Sequence, residues 1–347
     1  MGRLIVAKAE TRGQRNIRWI EQNCRVPEGK SAGQPVRLMS FQKDFIKAMY
    51  DAPRRIRRAI LSMGRKNGKT ALIAMLLLLH LCGPESVMNG QLYSTAQSRE
   101  QAAIVYNLAV KMILMNPRLE AFVTVRETRK ELACPRRGTL YRALSKESKS
   151  ALGYSPSFAI HDELGQVRGP RSALYEAVET GAGAQEAPLS IIISTQAATD
   201  SDLLSVLIDD ALSVEDSDTV CVVHTAPEDM DPFSEDALRA ANPAFGIFQN
   251  ADVTKATAED ARRMPSRESE FRNLILNQRV EAKSPFIAKG LWLENAAAPE
   301  PIDGADVYCG LDLSAVSDLT ALVSVYRRGS AEGWSVRSDF WLPEQGL

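Results

Sequence analysis

Short apolar runs that end in polar residues recur along the first two hundred positions of the chain. Three of them, Ala59–Leu61, Ser157–Ile160 and Leu189–Ile193, are too short for buried helices. Buried strands of a parallel sheet are continuous apolar runs of this length. The pattern therefore predicts a parallel sheet whose strand ends carry polar side chains.

Longer patterns with helical spacing alternate with these runs. They predict amphipathic helices over Leu38–Tyr50 and Ser98–Met115 and a helix buried under the sheet over Ala71–Cys82, a run too short to span a bilayer. Further predictions are strands at Gly90–Ala96 and Val220–His224, a β-hairpin in Val123–Leu144, a mobile loop at Gly181–Ala184 and one helix over Ala261–Leu276. Alternating strands and helices predict an α/β fold with helices on both faces of the sheet.

Length, charge and cysteine content narrow the class of protein. A chain of 347 residues with a formal net charge of −1 forms one large domain or two, and any contact with nucleic acid must come from local basic patches. Five scattered cysteines argue for a reducing compartment and against disulfides or a zinc site. No secretory signal is visible, and the basic segment Met1–Ser31 is either an arm that touches a partner or a solvated helix.

A phosphate-binding loop is predicted between the first strand and the buried helix. Gly68-Lys69-Thr70 opens that helix, whose free amides and dipole favour an anion. Lys69 would reach the β- and γ-phosphates of a nucleotide and the Thr70 hydroxyl would hold Mg²⁺. Met63 stands where the strict motif has glycine, and a lone Gly-Lys-Thr also occurs in surface turns capped by a solvated lysine.

Two adjacent carboxylates follow a later strand. Asp162 and Glu163 end the run from Ser157, and ligands of open α/β sheets bind at such strand ends. Asp162 would hold Mg²⁺ through water and Glu163 would act as general base toward the attacking water, although two acids there can also cap a helix. Their combination with the upstream Gly-Lys-Thr loop, in this order, favours an ATPase.

Two further features complete the predicted nucleotide site. Ser194, Thr195 and Gln196 follow the Leu189 strand and would lie beside the γ-phosphate, where a strand end can sense hydrolysis; a simple polar turn is the alternative. Gln42 could bind the edge of adenine while Phe41 packs on its ring, but an exposed helix glutamine fits the pattern equally well.

The last part of the chain has a different character. Ser284–Asp303 is rich in proline and alanine and marks a domain boundary, after an acidic stretch, Asp209–Asp236, that predicts a solvated lid or linker. Strands are predicted at Val307–Ser314, Thr320–Tyr326 and Gly333–Leu342, with Asp312 in the first. RNase H-like nucleases begin with such a meander and hold two metal ions between several carboxylates. Because the remaining carboxylates are not found here, we expect no working nuclease from this segment alone.

At this point the order of motifs resembles the large terminase subunit of tailed bacteriophages, the motor that packages DNA into the capsid. The matching segments are Gly64–Thr70, Phe158–Glu163, Ile193–Gln196, Ala241–Pro243, Phe271–Leu274 with Leu276–Asn277, and Gly310–Ser314. The family has an arginine before Gly-Lys in its phosphate loop, so the resemblance implies that role for Arg65 and extends the loop over Gly64, Lys66, Asn67 and Gly68.

The resemblance also implies a domain plan and a set of site residues. It implies a P-loop ATPase domain at 1–285 with a lid or linker subdomain at 215–285, a linker at 286–304 and the start of an RNase H-like nuclease domain at 305–347. By analogy Gln42 contacts adenine, Glu163 is the catalytic base, Thr195 couples hydrolysis to movement and Asp312 is a nuclease metal ligand. Family motors need an arginine from a neighbouring subunit, for which Arg142 is the candidate because it precedes the Asp162 strand.

The implied cofactors are ATP with Mg²⁺, and Mg²⁺ or Mn²⁺ at a complete nuclease site. The implied partners are double-stranded DNA, the portal protein and the small terminase subunit, with a homo-oligomeric ring when working, a monomer in isolation and no membrane. The expected location is the cytoplasm of the bacterial host. Two alternatives stay open at this stage: a helicase-like DNA-dependent ATPase, and a non-catalytic nucleotide-binding scaffold that keeps Lys69 without turnover.

Overall fold

The computed structural model describes residues 9–145, 153–214, 218–280, 294–295, 297–299, 303–313, 319–327 and 333–341. The chain divides into two compact units, Met1–Phe286 and Ile287–Leu347. Most of the predicted linker at 286–304, and Ser314 of the last motif, lie outside the described residues. None of the helices in the described ranges is long and apolar enough to cross a membrane.

The first unit is built on one eight-stranded sheet. Its strands are β1 (Arg58–Ser62), β2 (Gln91–Ala96), β3 (Thr124–Arg126), β4 (Glu131–Cys134), β5 (Thr139–Ser145), β6 (Pro156–Asp162), β7 (Leu189–Ser194) and β8 (Thr219–Val223). Their spatial order is β3-β4-β5-β2-β6-β7-β1-β8. The strands from β5 to β8 in this order are parallel, while β3, β4 and β5 pair antiparallel at one edge. The sheet is therefore mixed but mostly parallel, as the alternating pattern predicted.

Ten helices surround this sheet in the described part of the first unit. They are α1 (Arg12–Asn23), α2 (Ser40–Tyr50), α3 (Lys69–Leu81), α4 (Arg99–Leu114), α5 (Pro117–Glu120), α6 (Ala173–Gly181), α7 (Leu203–Ser213), α8 (Glu235–Ala241), α9 (Ala251–Arg263) and α10 (Pro265–Leu274). The acidic stretch predicted as a lid or linker contributes the end of α7 and the strand β8, which is part of the main sheet.

Alternate residues of the central strands face two different cores. Leu61 of β1 belongs to the large core with Leu72 of α3, whereas Ile60 packs with Leu204 of α7. Successive side chains of a strand point to opposite faces, so helices cover both faces of this sheet. The run of α3 is buried from Leu72 to Leu81, and burial of each leucine, isoleucine or methionine in it stabilises the fold by about 1.5–3 kcal/mol.

Two local predictions were wrong. The helix predicted over Ala261–Leu276 is two helices, because Met264 is extended and Pro265, which lacks an amide hydrogen, begins α10. The predicted mobile loop at Gly181–Ala184 is the end of α6 followed by a 3-10 helix at Ala182–Ala184.

The helices α8, α9 and α10 have a small core of their own. Leu238, Ala258 and Phe271 are buried in it, and Phe233 stacks on Phe271. The segment of α8, α9 and α10, called the helical segment below, also contacts the loop after β1 and therefore lies beside the candidate site.

The second unit contains a three-stranded antiparallel sheet among its described residues. Its strands are β9 (Asp306–Asp312), β10 (Thr320–Arg327) and β11 (Ser335–Trp341), in the order β11-β10-β9. Each follows its neighbour in sequence, so the predicted meander is confirmed as a set of strands.

Candidate nucleotide site

The loop between β1 and α3 has the backbone shape of an anion-binding nest. Lys66 and Gly68 are both in the left-handed region, with φ values of 67° and 74°. Gly68 adopts this conformation without the strain that a side chain would cause. No carbonyl in the described part of the chain accepts the amides of residues 66–70. These amides, at the N-terminus of a 13-residue helix, can bind phosphate oxygens.

Lys69 lies inside this loop. Its Nζ donates to the carbonyl oxygens of Met63 at 2.7 Å and of Gly64 at 2.9 Å. Burial lowers the pKa of Lys69 to about 8, although the carboxylates of Glu163 and Asp162 act in the opposite direction. A phosphate would replace these two carbonyls with a negatively charged partner for the same ammonium group.

The first half of the loop is bound to the helical segment. The amide of Gly64 donates to Ala241 O at 3.2 Å, and the amide of Arg65 donates to Leu274 O at 2.8 Å. The backbone before Lys66 is thereby held from the side of α8 and α10, and the second half of the loop is left for the ligand.

Buried amide side chains complete this contact. Asn67 Nδ2 donates to Asn242 Oδ1 at 2.7 Å and to Gly64 O at 3.0 Å, and its Oδ1 accepts the amide of Ala244. Gln249 Nε2 donates to Asn242 Oδ1 at 3.0 Å and to Arg65 O at 2.9 Å. An unpaired buried amide costs free energy, so the loop and the helical segment specify each other's position.

Asp162 and Glu163 lie at the carboxyl end of β6. Burial, with the Glu163 carboxylate next to it, raises the pKa of Asp162 to about 7, while Lys69 acts in the opposite direction. Glu163 has a φ of 54°, which is uncommon for a residue with a side chain. Its amide donates to Ile193 O at 2.9 Å, so the unusual backbone is held by β7. Strained backbone of this kind often occurs at functional sites.

The end of β7 brings the loop and the two carboxylates together. Ser194 O accepts the amide of Met63 at 3.2 Å, and Ser194 Oγ donates to Glu163 Oε2 at 3.4 Å while accepting the amide of Gly165 at 2.9 Å. Lys69 is bonded to the carbonyl of Met63, and Asp162 is paired with Ile193 in the sheet, so the hydrogen bonds of Ser194 link the surroundings of all three charged groups. Residues from distant parts of the sequence thus share one edge of the sheet.

Other predicted residues lie at or near this edge. Thr195 is buried directly after β7, and Thr70 is half-buried in the first turn of α3. The Thr70 hydroxyl and the Asp162 carboxylate are oxygen donors of the kind that Mg²⁺ prefers, so the donor set fits this ion. In the described residues there is no cluster of three or more His, Cys, Asp or Glu side chains that could hold a metal by itself.

Gln42 is on α2, which packs against β8. The ring of Phe41 meets His224, directly after β8, edge-on at 5.9 Å between centroids. Gln42 Oε1 accepts the amide of Met39 at 2.9 Å and so helps to cap its own helix. The side-chain oxygen of Gln42, the predicted adenine contact, is therefore already bonded within its own helix.

The two arginines of the prediction have different surroundings. Arg65 is exposed and lines a cleft of about 440 Å³ with Phe271 and Leu274, and its charge lowers the pKa of Lys69. Arg142 is in β5, four strands from β1, where its Nε donates to the buried Glu131 at 2.8 Å. Arg142 therefore lies away from the candidate site of its own chain, and its side chain is 42% exposed.

Asp312 ends β9 in the second unit and is exposed. Its register partners on β10 and then β11 are Ala321 and Phe340, whereas Asp339 is paired with Leu322 and faces the other side of the sheet. A two-metal site needs several carboxylates around each ion. The described residues of this unit do not fit such a site.

The fold and this site define a P-loop nucleoside triphosphatase, with a phosphate loop after β1 and paired acids after β6. The family model described as "Terminase large subunit, ATPase domain" matches residues 40–212. The large terminase subunit of Enterobacteria phage HK97 is 52% identical over 340 residues, which are 97% of this chain and 66% of that protein. The chain belongs to the terminase large subunit family, which confirms the resemblance found in its motifs.

Solved structures agree with this assignment. The HK97 bacteriophage large terminase is 50% identical with a TM-score of 0.75, covering 96% of this chain and 69% of that one. The large terminase of a thermophilic bacteriophage, solved in complex with ATP-gamma-S, is 11% identical with a TM-score of 0.50, covering 88% and 68%. The Thermus phage P74-26 ATPase domain is 18% identical with a TM-score of 0.50, covering 70% and 94%. The last two matches show the fold alone.

The sequence did not single out every residue that shapes the site. Asn242 and Asn277 lie in segments that resemble the family but have no individual signal, and Gln249 has no signal at all. Their partners lie far along the chain, so spacing and periodicity could not indicate them.

Proposed function

We propose that this chain hydrolyses ATP and uses the energy to move double-stranded DNA into a viral capsid. The observation that carries the proposal is the convergence of Lys69 and the Asp162–Glu163 pair on one edge of the sheet, where Ser194 bonds both to Glu163 and to the amide of Met63, whose carbonyl accepts Lys69. The chain spans 66% of the length of its HK97 relative, so this proposal concerns the activity of the part represented here.

Each residue of the site has a distinct task in this proposal. The amides of residues 66–70 and the Lys69 ammonium bind the β- and γ-phosphates, which orients the terminal phosphorus for in-line attack. Glu163 accepts a proton from the attacking water. Thr70 and Asp162 would hold Mg²⁺, which neutralises charge on the phosphate oxygens when bound. Arg65 is exposed beside the loop and adds positive charge there.

Coupling to movement is assigned to Thr195, which follows β7 and is one residue from the Ser194 hydroxyl on Glu163. Loss of the γ-phosphate would change the contacts of this strand end. We propose that the working form is a homo-oligomeric ring that meets the portal protein, the small terminase subunit and DNA in the cytoplasm of the bacterial host. A cationic group from a neighbouring subunit would complete the charge stabilisation, and Arg142, whose side chain is 42% exposed beside Glu131, is the candidate.

The domain plan belongs to the same proposal. Residues 1–285 would be the ATPase domain, with 215–285 as its lid or linker subdomain, 286–304 as the linker and 305–347 as the start of a nuclease domain. The amide contacts of Asn242 and Gln249 to the loop support the place of the helical segment beside the nucleotide.

Steady-state ATP hydrolysis with and without double-stranded DNA tests the proposal. We expect turnover that DNA stimulates, since translocation uses DNA as the track. Lys69→Ala should lower both ATP binding and turnover, whereas Glu163→Ala should abolish turnover and keep ATP binding, because the base contributes to the chemical step alone. Glu176→Ala, which removes an exposed carboxylate paired with Arg171, is the matched control and should behave as wild type.

Three other results would contradict parts of this proposal. Wild-type turnover by Glu163→Ala would remove Glu163 from the role of base. ATP binding without any turnover by the wild-type chain would favour a non-catalytic scaffold. Unwinding of duplex DNA by the same protein would favour a helicase-like ATPase.

A further inference from the structure

Asn277 joins the ends of three neighbouring strands. Its Nδ2 donates to Ser62 Oγ at 3.0 Å, at the end of β1, and to His224 O at 2.9 Å, after β8. Its Oδ1 accepts the amide of Gln196 at 2.7 Å, after β7. The side chain is fully buried, and the backbone has a φ of 56°. An asparagine in this uncommon conformation, with both amide atoms used, is held in one position.

The strand end that Asn277 holds is the one that contacts the general base. Gln196 is two residues after Ser194, whose hydroxyl contacts Glu163 and the amide of Gly165. A second contact comes from Asn273, whose Nδ2 donates to Gln196 O at 3.0 Å. A displacement of this short segment by the γ-phosphate would therefore reach residues 273–277 through direct bonds.

Arg279 also binds the segment after β7, and it lies closer in sequence to the end of the first unit. Its Nε donates to Gln196 Oε1 at 3.2 Å, and its two terminal nitrogens reach Asp209 at 2.6 and 2.9 Å and Asp200 at 2.9 Å. The amide of Val280 donates to Ala198 O at 2.7 Å. The first unit ends at Phe286, so residues 277–280 are the final described stretch before the second unit.

The contacts of Asn277 and Arg279 differ in how easily they can be exchanged. Asn277 is buried, and breaking its bonds would leave unpaired amide groups. Two of the partners of Arg279 are exposed, since the side chains of Asp200 and Asp209 are 74% and 55% exposed, whereas Gln196 is buried. Water can replace those ion pairs at small cost. The buried amide thus sets the position, and the arginine can release and rebind.

We propose that Gln196, Asn277 and Arg279 form a coupling clasp, in which the two later residues are positioning residues that carry the state of the nucleotide site to the segment entering the second unit. The inference rests on the proposed ATPase function. It adds to that function the route by which the strand end beside Glu163 communicates with the rest of the chain.

Hydrogen exchange of the whole protein, with and without ATP-gamma-S, tests the clasp. The amides of Gln196 and Val280 are each held by a bond across it, so peptides covering 194–200 and 276–281 are the readout. In the wild type we expect bound nucleotide to slow or speed exchange in both peptides by at least about threefold. In Arg279→Ala the change in the 276–281 peptide should disappear, while the affinity for ATP-gamma-S stays within about threefold of wild type.

Two variants separate coupling from stability. Arg171→Ala breaks an exposed ion pair with Glu176 and should keep the wild-type response in both peptides. Arg279→Lys keeps the charge but cannot bridge Gln196 and both aspartates with one planar group, so we expect a reduced response. In Asn277→Asp, which loses the two donors, kcat should fall more than about tenfold with KM changed less than about threefold, because a displaced base affects the chemical step more than binding.

The outcomes distinguish failure of the clasp from failure of the function. An undiminished nucleotide response in Arg279→Ala overturns the clasp, as does a wild-type protein that binds ATP-gamma-S with no change in either peptide. A wild-type protein that fails to bind ATP-gamma-S removes the proposed ATPase function itself, and the clasp with it.

Discussion

At the scale of single residues, the site depends on a close approach between two loops. Gly165 follows the strained Glu163, and a Cβ atom at Gly165 would lie 2.3 Å from Thr195 O and 2.8 Å from Ser194 Oγ. Only a residue without a side chain allows the loop after β6 to rest on the end of β7. The hydrogen bond from the Gly165 amide to Ser194 Oγ depends on the same approach.

We expect Gly165→Ala to disturb this contact and destabilise the fold by about 1–3 kcal/mol, because the added methyl group meets backbone that cannot move away cheaply. ATP turnover should fall with it, since Glu163 would be displaced. Urea unfolding of the variant and the wild type measures the difference in the free energy of unfolding. Gly183→Ala is the matched control, because a Cβ atom at Gly183 would have no neighbour within 4 Å. Equal stability of the two variants would contradict the argument.

At the scale of elements, a buried carboxylate with partly exposed arginine partners connects the first helix to the end of α3. Glu85, shortly after α3, accepts Arg15 Nη2 at 2.8 Å and Asn16 Nδ2 at 2.9 Å, both from α1. Burial alone would raise the pKa of Glu85, but hydrogen bonds from Arg12 and Asn16 outweigh it and lower the pKa to about 2. Part of the basic segment Met1–Ser31 is thus the helix α1, and Glu85 binds this helix to the rest of the first unit.

The Glu85→Gln variant should show a loss of stability that depends on pH. The folded pKa of Glu85 lies below the ordinary value of 4.5, so its stabilisation is fully present above that pH and is lost as the pH falls toward 2. We expect the free energy of unfolding of the wild-type protein to exceed that of the variant by about 1–3 kcal/mol at neutral pH and by about half as much near pH 3. Denaturant unfolding across this pH range measures the difference.

Glu176→Gln provides the comparison for that series, because Glu176 and its partner Arg171 are both exposed. It should change stability little at any pH, since solvent screens such a pair. If the difference in unfolding free energy between wild type and Glu85→Gln stays constant from neutral pH to pH 3, the loss of stability comes from changed packing and not from the lost charge.

At the scale of the whole molecule, the two units differ in what they contain. The first unit brings together the loop after β1, the paired acids of β6 and the polar end of β7 around one edge of its sheet. The described part of the second unit is a three-stranded sheet in which Asp312 and Asp339 face opposite sides. The residues of the candidate nucleotide site therefore all come from the first unit, and the two aspartates of the second-unit sheet do not share a face.

We expect this chain to cleave DNA poorly in Mn²⁺ or Mg²⁺, because the described residues contain no cluster of carboxylates that could hold two metal ions. Asp312→Ala should leave that weak activity unchanged. Conversion of supercoiled plasmid to nicked and linear forms is the measurement, with a wild-type ATPase assay of the same preparation as the control for folding. Rapid metal-dependent cleavage by the wild-type chain would contradict the expectation.

Several features were predictable because their signals are local. The runs Ala59–Leu61 and Leu189–Ile193 are strands next to each other in the sheet, and Gly-Lys-Thr begins the buried helix, as predicted. The hairpin in Val123–Leu144 became β3, β4 and β5. Where a local signal competed with another, the prediction was wrong: Pro265 divides the helix predicted over Ala261–Leu276, because the missing amide hydrogen outweighs continued apolar spacing.

The sequence alone determined the strands, the phosphate loop and the acids after β6, because each follows from periodicity or from a compact motif. Only the tertiary structure decided which distant groups meet: Asn277 with Ser62 and Gln196, Asn242 with Asn67, and Arg142 with Glu131. These contacts join separate strands and helices through polar side chains. Their energy depends on burial and on a partner's exact position, and neither quantity exists until the chain has folded.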